Sequence, residues 1–418
     1  MTESGADAAV TEFLARSARV LDSLLPRPGW RVLAAISGGC DSVVLSWSLR
    51  EAARSRRGSL VLGHVNHGLR VEADQDEAFV GALAAAWGLP LEVERVDVGR
   101  MIEARGWSRE QAARVARFAA LERLCRKTGC PVLALGHHMD DQAETLLMRI
   151  LRGTGPQGLG GMRPWARLPA RSPDGAAIRL IRPLLGFRRA EIRSLAVRTG
   201  LAWREDRSNL DLSIVRNRVR SELLPLLERS YNPRIVESLA ALARRQDLES
   251  EPIARVAAQV KRRVTLPSTL LIDEPAGAAG TADDEPSPER EDRPGTCPEG
   301  SGRDTVPGGR VALDGLALAR EPEAVISRVI WLTYQDLAGP EGVLGSRHMS
   351  KLVGLARSAP GGGTGELHLP GEIRVRLRRG RLIFEHHRAR PEADGPQAAP
   401  GGEAPRAKNP LDEPDTAT

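Results

Sequence analysis

Lysine is almost missing from this chain: it occurs only at 127, 261, 351 and 408 of 418 residues. None of the four closes a GxxxxGK[ST] loop, which excludes a Walker-type phosphate site and its bridging lysine. Cysteine is nearly as scarce, with Cys40, Cys125, Cys130 and Cys297 forming no CxxC pair and no zinc-like spacing. That argues against a disulfide scaffold or a metal-cluster enzyme and for a reduced, cytoplasmic setting. No apolar run approaches the ~20 residues of a membrane span. The opening MTESGADAAV carries acids and no basic-then-apolar order, so a secretory signal is not expected.

What is present is arginine, unevenly spread. Residues 149–234 hold eighteen Arg, no Lys and seven Asp or Glu, a local balance of +11 against +6 for the whole chain. A cationic stretch of this density suits a polyanionic partner such as a nucleic acid, or simply a solvated surface in an arginine-biased chain.

The first half alternates strand-like runs (31–36, 60–65, 91–97, 131–136) with helical periodicity (41–56, 74–87, 108–128, 140–152). Such alternation predicts an α/β fold, a parallel sheet with helices on both faces and ligands beyond the carboxyl ends of the strands. From 187 to 245 the pattern is helical and rich in Arg and Leu. Residues 275–309 are Pro-, Gly- and acid-rich with almost no large apolar side chains, so a disordered insertion is expected. Helices are expected at 321–337 and 346–357. Two short strands, GELHLPGEIRVRL and RLIFEH, then close a small α+β module before a Pro/Gly/Ala-rich tail at 388–418. The domains follow: 1–222 as the catalytic domain, 223–274 as a helical linker, 275–309 as the insertion, 310–387 as the C-terminal domain.

The chemistry-bearing residues fall at strand ends. After the first strand comes SGGCDS: Ser37, Gly38, Gly39, Cys40, Asp41 and Ser42. Glycines let the backbone approach an anion, and the amides of the following helix start point at it with the helix dipole behind them. Without a Walker lysine, the cargo is a pyrophosphate held by backbone groups. Asp41 is tolerable there if Mg²⁺ intervenes, or else it is an ordinary N-cap. After the second strand stand His64, Asn66, His67 and Arg70, each weak alone. Arg114 and Arg117, in ARVARF, share a helix face suited to phosphate charge or to solvent. After the fourth strand, HHMDDQAET puts Asp140, Asp141 and Glu144 in one first helical turn, beyond His137 and His138. These acids could hold Mg²⁺, accept the proton of a substrate ammonium, or merely compensate the helix dipole. A glycine-rich loop, LRGTGPQGLGGM, follows with Arg152. Further on, REDRSNLDLSIVRNRVRSELLPLL interleaves Arg204, Arg207, Arg216, Arg218 and Arg220 with Asn209 and Asn217, a pattern for backbone phosphates or a surface helix.

In this order, SGGCDS, HVNHGLR, ARVARF, HHMDDQAET, RGTGPQGLGGM, RPLL, EDRSN and RNRVRSELLP resemble the N-type ATP pyrophosphatases, the PP-loop family. Within it they resemble the tRNA(Ile)-lysidine synthetases, strongly over about 30–235 and loosely over 310–386. The resemblance implies a Rossmann-like PP-loop domain, then a helical segment and a small tRNA-contacting domain. It implies ATP and Mg²⁺, free lysine, and an isoleucine tRNA with a CAU anticodon whose wobble cytidine is adenylated at O2 before the lysine amine displaces AMP. It further implies that 37–42 bind ATP, that Asp41 and Asp140 hold the metal, and that Asp140, Asp141 and Glu144 face metal or lysine. Arg114 or Arg117 would stabilise the adenylate, and Arg152, Arg204, Arg207, Arg216, Asn217 and Arg220 would contact tRNA. A homodimer is compatible with it. The family's longest members carry a further C-terminal domain, for which no room is left after 387. Three departures are visible: Phe118 for the usual Tyr, Gly136 before the histidines, and the 275–309 insertion.

The rivals are a PP-loop tRNA thiolase, which needs a CxxC pair or a suitably placed catalytic cysteine, an amidotransferase-type synthetase, which needs an N-terminal nucleophile cysteine or a glutaminase segment, and a non-catalytic RNA binder, which leaves the acids unexplained.

Overall fold

A computed structural model describes residues 3–25, 27–68, 73–99, 102, 109–168, 177–205, 211–267, 310–338 and 344–386. The expected insertion at 275–309 and the tail at 388–418 lie outside the described residues.

Six strands form the first sheet in the order β3-β2-β1-β4-β6-β5: β1 (Arg31–Ala35), β2 (Ser59–Asn66), β3 (Leu91–Arg95), β4 (Val132–Ala134), β5 (Trp165–Arg167) and β6 (Arg179–Ile181). All neighbours run parallel except the edge pair β5 and β6. Strand alternation explains the burial. Val32 and Ala34 point into a cluster with α1 (Glu3–Leu24), α2 (Cys40–Arg56), α3 (Ala73–Trp87) and α7 (Arg189–Arg198). Leu33 points the other way, onto Leu121 and Leu124 of α4 (Arg109–Thr128). Both faces are covered, so the strands read as continuous apolar runs.

The fourth strand feeds α5 (Met139–Leu151), followed by the single turn α6 (Pro156–Leu159). Ala143 and Leu146 of α5 pack on Val219, Leu224, Leu239 and Ala243. Those residues come from a π-helical turn (Val219–Leu223) that follows α8 (Val215–Arg218), from the start of α9 (Leu224–Ser230) and from α10 (Ile235–Glu249). A fourth core joins α11 (Glu251–Val264), α13 (Glu323–Ala338) and α14 (Ser346–Arg357) to one face of an antiparallel sheet. That sheet orders β7 (Arg310–Asp314), β10 (Arg381–His386), β9 (Ile373–Arg378) and β8 (Gly365–Leu369), with α12 (Gly315–Ala319) after β7.

The fold class agrees with expectation, and three local readings need correction. GELHLPGEIRVRL is two strands, because the chain turns at Pro370–Glu372, where Gly371 and Glu372 have φ of 81° and 58°. The 187–245 stretch is not helical throughout: α7 stops at Arg198, and the described residues 199–205 and 211–214 lie outside any helix. Finally, α1, β5, β6 and β7 escaped the sequence reading. The strands among them are three or five residues long, too short for a period to register.

Candidate active site

Strand order changes direction at β1, whose neighbours are β2 and β4, and a cleft of about 490 Å³ opens beyond their carboxyl ends. Its floor is the turn after β1. Ser37 N–H donates to Ser42 Oγ at 3.1 Å, and Ser42 Oγ donates to Gly39 O at 2.8 Å, closing the turn on itself. Gly38 sits at φ 88°, and a Cβ there would meet the Phe79 ring at 3.3 Å. Gly39 is the N-cap of α2 and supplies no side chain, so the first amides of the helix stay available to an anion. Asp41 is therefore no cap. One oxygen, Oδ1, is buried without a hydrogen-bond partner, and Oδ2 lies 3.5 Å from His138 Nε2. Gly136 has a local reason: a Cβ there would stand 3.1 Å from Asp41 O, so glycine lets the end of β4 approach the loop.

The cleft walls come from β2, α3 and α4. His64 Nδ1 donates to Ile36 O at 2.8 Å, which places the ring proton on Nδ1. Asn66 is fully engaged, donating to Glu77 at 2.9 Å and accepting from Gly68 N–H at 3.0 Å. Arg117 lines the cleft; its Nε has no hydrogen-bond partner, and burial followed by the charge of Arg216 lowers its pKa. Arg114, one turn earlier, is not among the lining residues, and both guanidinium groups stand 5.5 Å from the Phe118 ring. The ring that replaces the usual tyrosine is thus a cation–π platform. Arg70 lies outside the described residues.

The three acids of α5 divide into two groups. Asp140 Oδ2 accepts Arg189 N–H at 2.8 Å at the start of α7, and Oδ1 lies 3.3 Å from Arg188. Asp141 Oδ2 accepts His138 N–H at 3.0 Å in a capping box, and Oδ1 accepts from Arg216 at 2.7 Å. Glu144, 1% exposed, accepts from the same Arg216 at 2.8 Å, with Arg220 Nε 3.6 Å from its other oxygen. Burial works against the charge on Asp141, yet His138 and Arg216 hold it far below the usual carboxylate range. At Glu144 burial wins over Arg216 and the pKa rises. His138, enclosed by Asp41, Asp140 and Asp141, has its pKa raised although burial opposes it.

Of the arginines and the asparagine read as RNA-facing, Arg152 is exposed at the end of α5, while Arg216 and Arg220 reach inward to the acids. Asn217 is buried and donates to Asp211 O. Arg204 donates its backbone N–H to Gly38 O at 2.9 Å and its guanidinium to Asp76 at 2.5 Å, bracing the phosphate loop. Arg207 lies outside the described residues. The sequence reading missed Arg149, which is buried and donates to Gly158 O and Gly161 O, pinning the glycine-rich loop. It gave no role to Arg182, the arginine of RPLL. Both sit among apolar neighbours, and a lone cation in an apolar stretch was the available signal.

The model of a PP-loop domain family matches residues 12–227. A tRNA(Ile)-lysidine synthase of Symbiobacterium thermophilum is 34% identical over 90% of this chain and 68% of its own length. One from Salinispora tropica is 36% identical over 86% of this chain and 91% of its own. The chain belongs to the tRNA(Ile)-lysidine synthase family. It spans about half of some members: the Geobacter sulfurreducens relative, 38% identical over 62% of this chain, is covered over 51% of its length. ATP use follows from membership of this PP-loop family. Among the described residues, no helix is long and apolar enough to cross a membrane.

The positive φ of Gly38 yields a first expectation. Gly38→Ala should weaken ATP binding about tenfold, since holding a non-glycine residue in that region costs about 1–3 kcal/mol. Equilibrium binding of ATP to the full chain measures it, and an unchanged affinity would mean that the turn is not where the phosphates sit.

Proposed function

We propose that this chain ligates free lysine to C2 of the wobble cytidine of a CAU-anticodon isoleucine tRNA, consuming ATP and releasing AMP and pyrophosphate. One observation carries the reading: a single cleft gathers the phosphate turn, Arg117, Asp41 with its unpartnered oxygen, and His137, which stands two residues before α5 and its acids. The helix-start amides and Ser37 would bind phosphate oxygens. Arg117 is the better placed of the two candidate arginines to face charge on the adenylate, because it lines the cleft.

The donor set fits a magnesium ion on Asp41 better than on Asp140. The former has a free buried oxygen, whereas both oxygens of the latter face partners on α7 and Arg188. Bound there, the ion would neutralise the pyrophosphate leaving group and take its remaining ligands from phosphate and water. Asp141 and Glu144 supply the negative pole toward which a lysine ammonium would orient. The arginines of the C-terminal sheet's polar face, Arg310, Arg374 and Arg376 around Glu385, suit tRNA phosphates. The division into domains at 1–222, 223–274 and 310–387 belongs to the same reading.

A sulfur-transfer reading has less to stand on. Cys125 and Cys130 are buried in the core, and burial pushes the Cys125 thiol up to about 12 and the Cys40 thiol up to about 11. The deciding experiment supplies ATP, Mg²⁺, labelled lysine and tRNA transcripts with CAU or GAU anticodons. Lysine should enter only the CAU transcript, with one pyrophosphate released per lysine. Modification supported by a sulfur donor instead of lysine would overturn the proposal.

A further inference from the structure

We infer that Arg182 is the positioning residue of His137: it fixes the imidazole in one tautomer, so that Nε2–H is offered to an anionic oxygen on the phosphate loop. The inference rests on the reading of the cleft as the nucleotide site.

Arg182 follows β6 directly and is 2% exposed. Its backbone N–H donates to Pro164 O at 2.8 Å and its Nη1 to Arg163 O at 2.8 Å, so the residue is anchored once through its backbone and once through its guanidinium. From there Nε donates to His137 Nδ1 at 3.2 Å. An arginine Nε carries a proton and cannot accept, so Nδ1 must be the unprotonated nitrogen of the ring. The ring's one proton is then on Nε2. His137 stands after β4 and lines the cleft with Ser37, Asp41, Ser42 and Arg117.

The charges around His137 agree with a neutral ring. Burial lowers its pKa first, Arg182 adds to this from β6, and Arg117 of α4 and Arg216 of α8 push the same way against Asp141 of α5. Its neighbour His138 has the opposite setting, three carboxylates and a raised pKa. Two adjacent histidines at one strand end therefore have their pKa values pushed in opposite directions because their partners differ. A neutral N–H at this place gives a directed hydrogen bond to a phosphate or adenylate oxygen and adds no charge beside Asp41. Arg182 lies behind the ring and acts only through it.

The test uses full-length Arg182→Gln and Arg182→Lys proteins with ¹⁵N-labelled histidine. In the unmodified protein the long-range ¹H–¹⁵N pattern of His137 should be that of the Nε2–H tautomer. In Arg182→Gln it should become a mixture, while pyrophosphate release falls about 10²-fold in kcat with little change in KM for ATP. In a His137→Phe background the same substitution should cost nothing further. Arg182→Lys keeps the buried charge, and if Gln prevents folding it carries the same two measurements. An unchanged tautomer signal, or a full additional loss in the His137→Phe background, would overturn the inference and leave Arg182 as part of the core. If the unmodified protein binds no ATP, the cleft reading falls and this inference with it. If it binds ATP while His137 stays indifferent to Arg182, only the inference falls.

Discussion

Asp41→Asn should lower ATP-dependent pyrophosphate release by about 10³-fold while tRNA affinity stays nearly unchanged. The substitution keeps the side chain's size and removes only its charge. It costs no helix cap, because Gly39 occupies that position and α2 begins at Cys40. What is lost is the buried Oδ1 that has no hydrogen-bond partner, the oxygen suited to a divalent ion. An ion that stabilises a leaving pyrophosphate would lower the barrier by several kcal/mol, and each ~1.4 kcal/mol is tenfold in rate. Asp41→Ala should behave the same way. Filter binding of the tRNA and release of pyrophosphate, measured on one preparation, separate the two functions. Joint loss of both would mean that Asp41 supports the fold and not the chemistry.

Arg216→Met should destabilise the protein by about 2–3 kcal/mol, lowering Tm by roughly 5–10 °C. Arg216 bonds both Asp141 and Glu144, the one guanidinium among the described residues to do so, and Glu144 is 1% exposed. Removing it strands a buried carboxylate whose remaining cation, Arg220, is 3.6 Å away. The figure is below the range for a wholly buried pair because 30% of the Arg216 side chain is open to solvent, which screens the loss. The deficit should depend on pH. Burial already raises the Glu144 pKa above its unfolded value. The folded state then binds the proton more tightly, and stability falls as pH rises from the ordinary carboxylate range through the raised value. Melting at pH 5 should therefore show a smaller deficit than melting at pH 8. Adding Glu144→Gln, which removes the charge, should recover part of the loss. A variant that melts like the parent at both pH values would show that the ion pair does not hold this end of α5.

Much of the site was legible because it is local. Strand, glycine turn and helix at 31–47 follow from side-chain alternation and from the freedom of Gly38, both short-range properties. The acids of α5 were found for the same reason, as three carboxylates in one helical turn. Arg216 shows the limit. Periodicity puts it on a face with its helical neighbours but does not say whether that face meets solvent or another helix. It was read as RNA-facing, and the structure turns it onto Asp141 and Glu144. Arg204 likewise braces Gly38 and Asp76, the latter 128 positions away.

By itself the sequence determined the α/β order, the phosphate turn, the clustered acids and the family to which the chain belongs. All of these depend on residues within a few positions of one another, where backbone sterics and side-chain period decide the outcome. Only the tertiary structure decided which partner each charge took. It left one oxygen of Asp41 free and engaged both of Asp140, and it set His138 among carboxylates that raise its pKa and His137 among arginines that lower it. Those outcomes depend on groups 45 to 97 positions apart, such as Arg182 with His137, Arg216 with Asp141 and His138 with Asp41. At such separations, docking of elements sets both distance and burial, and burial decides which charge survives.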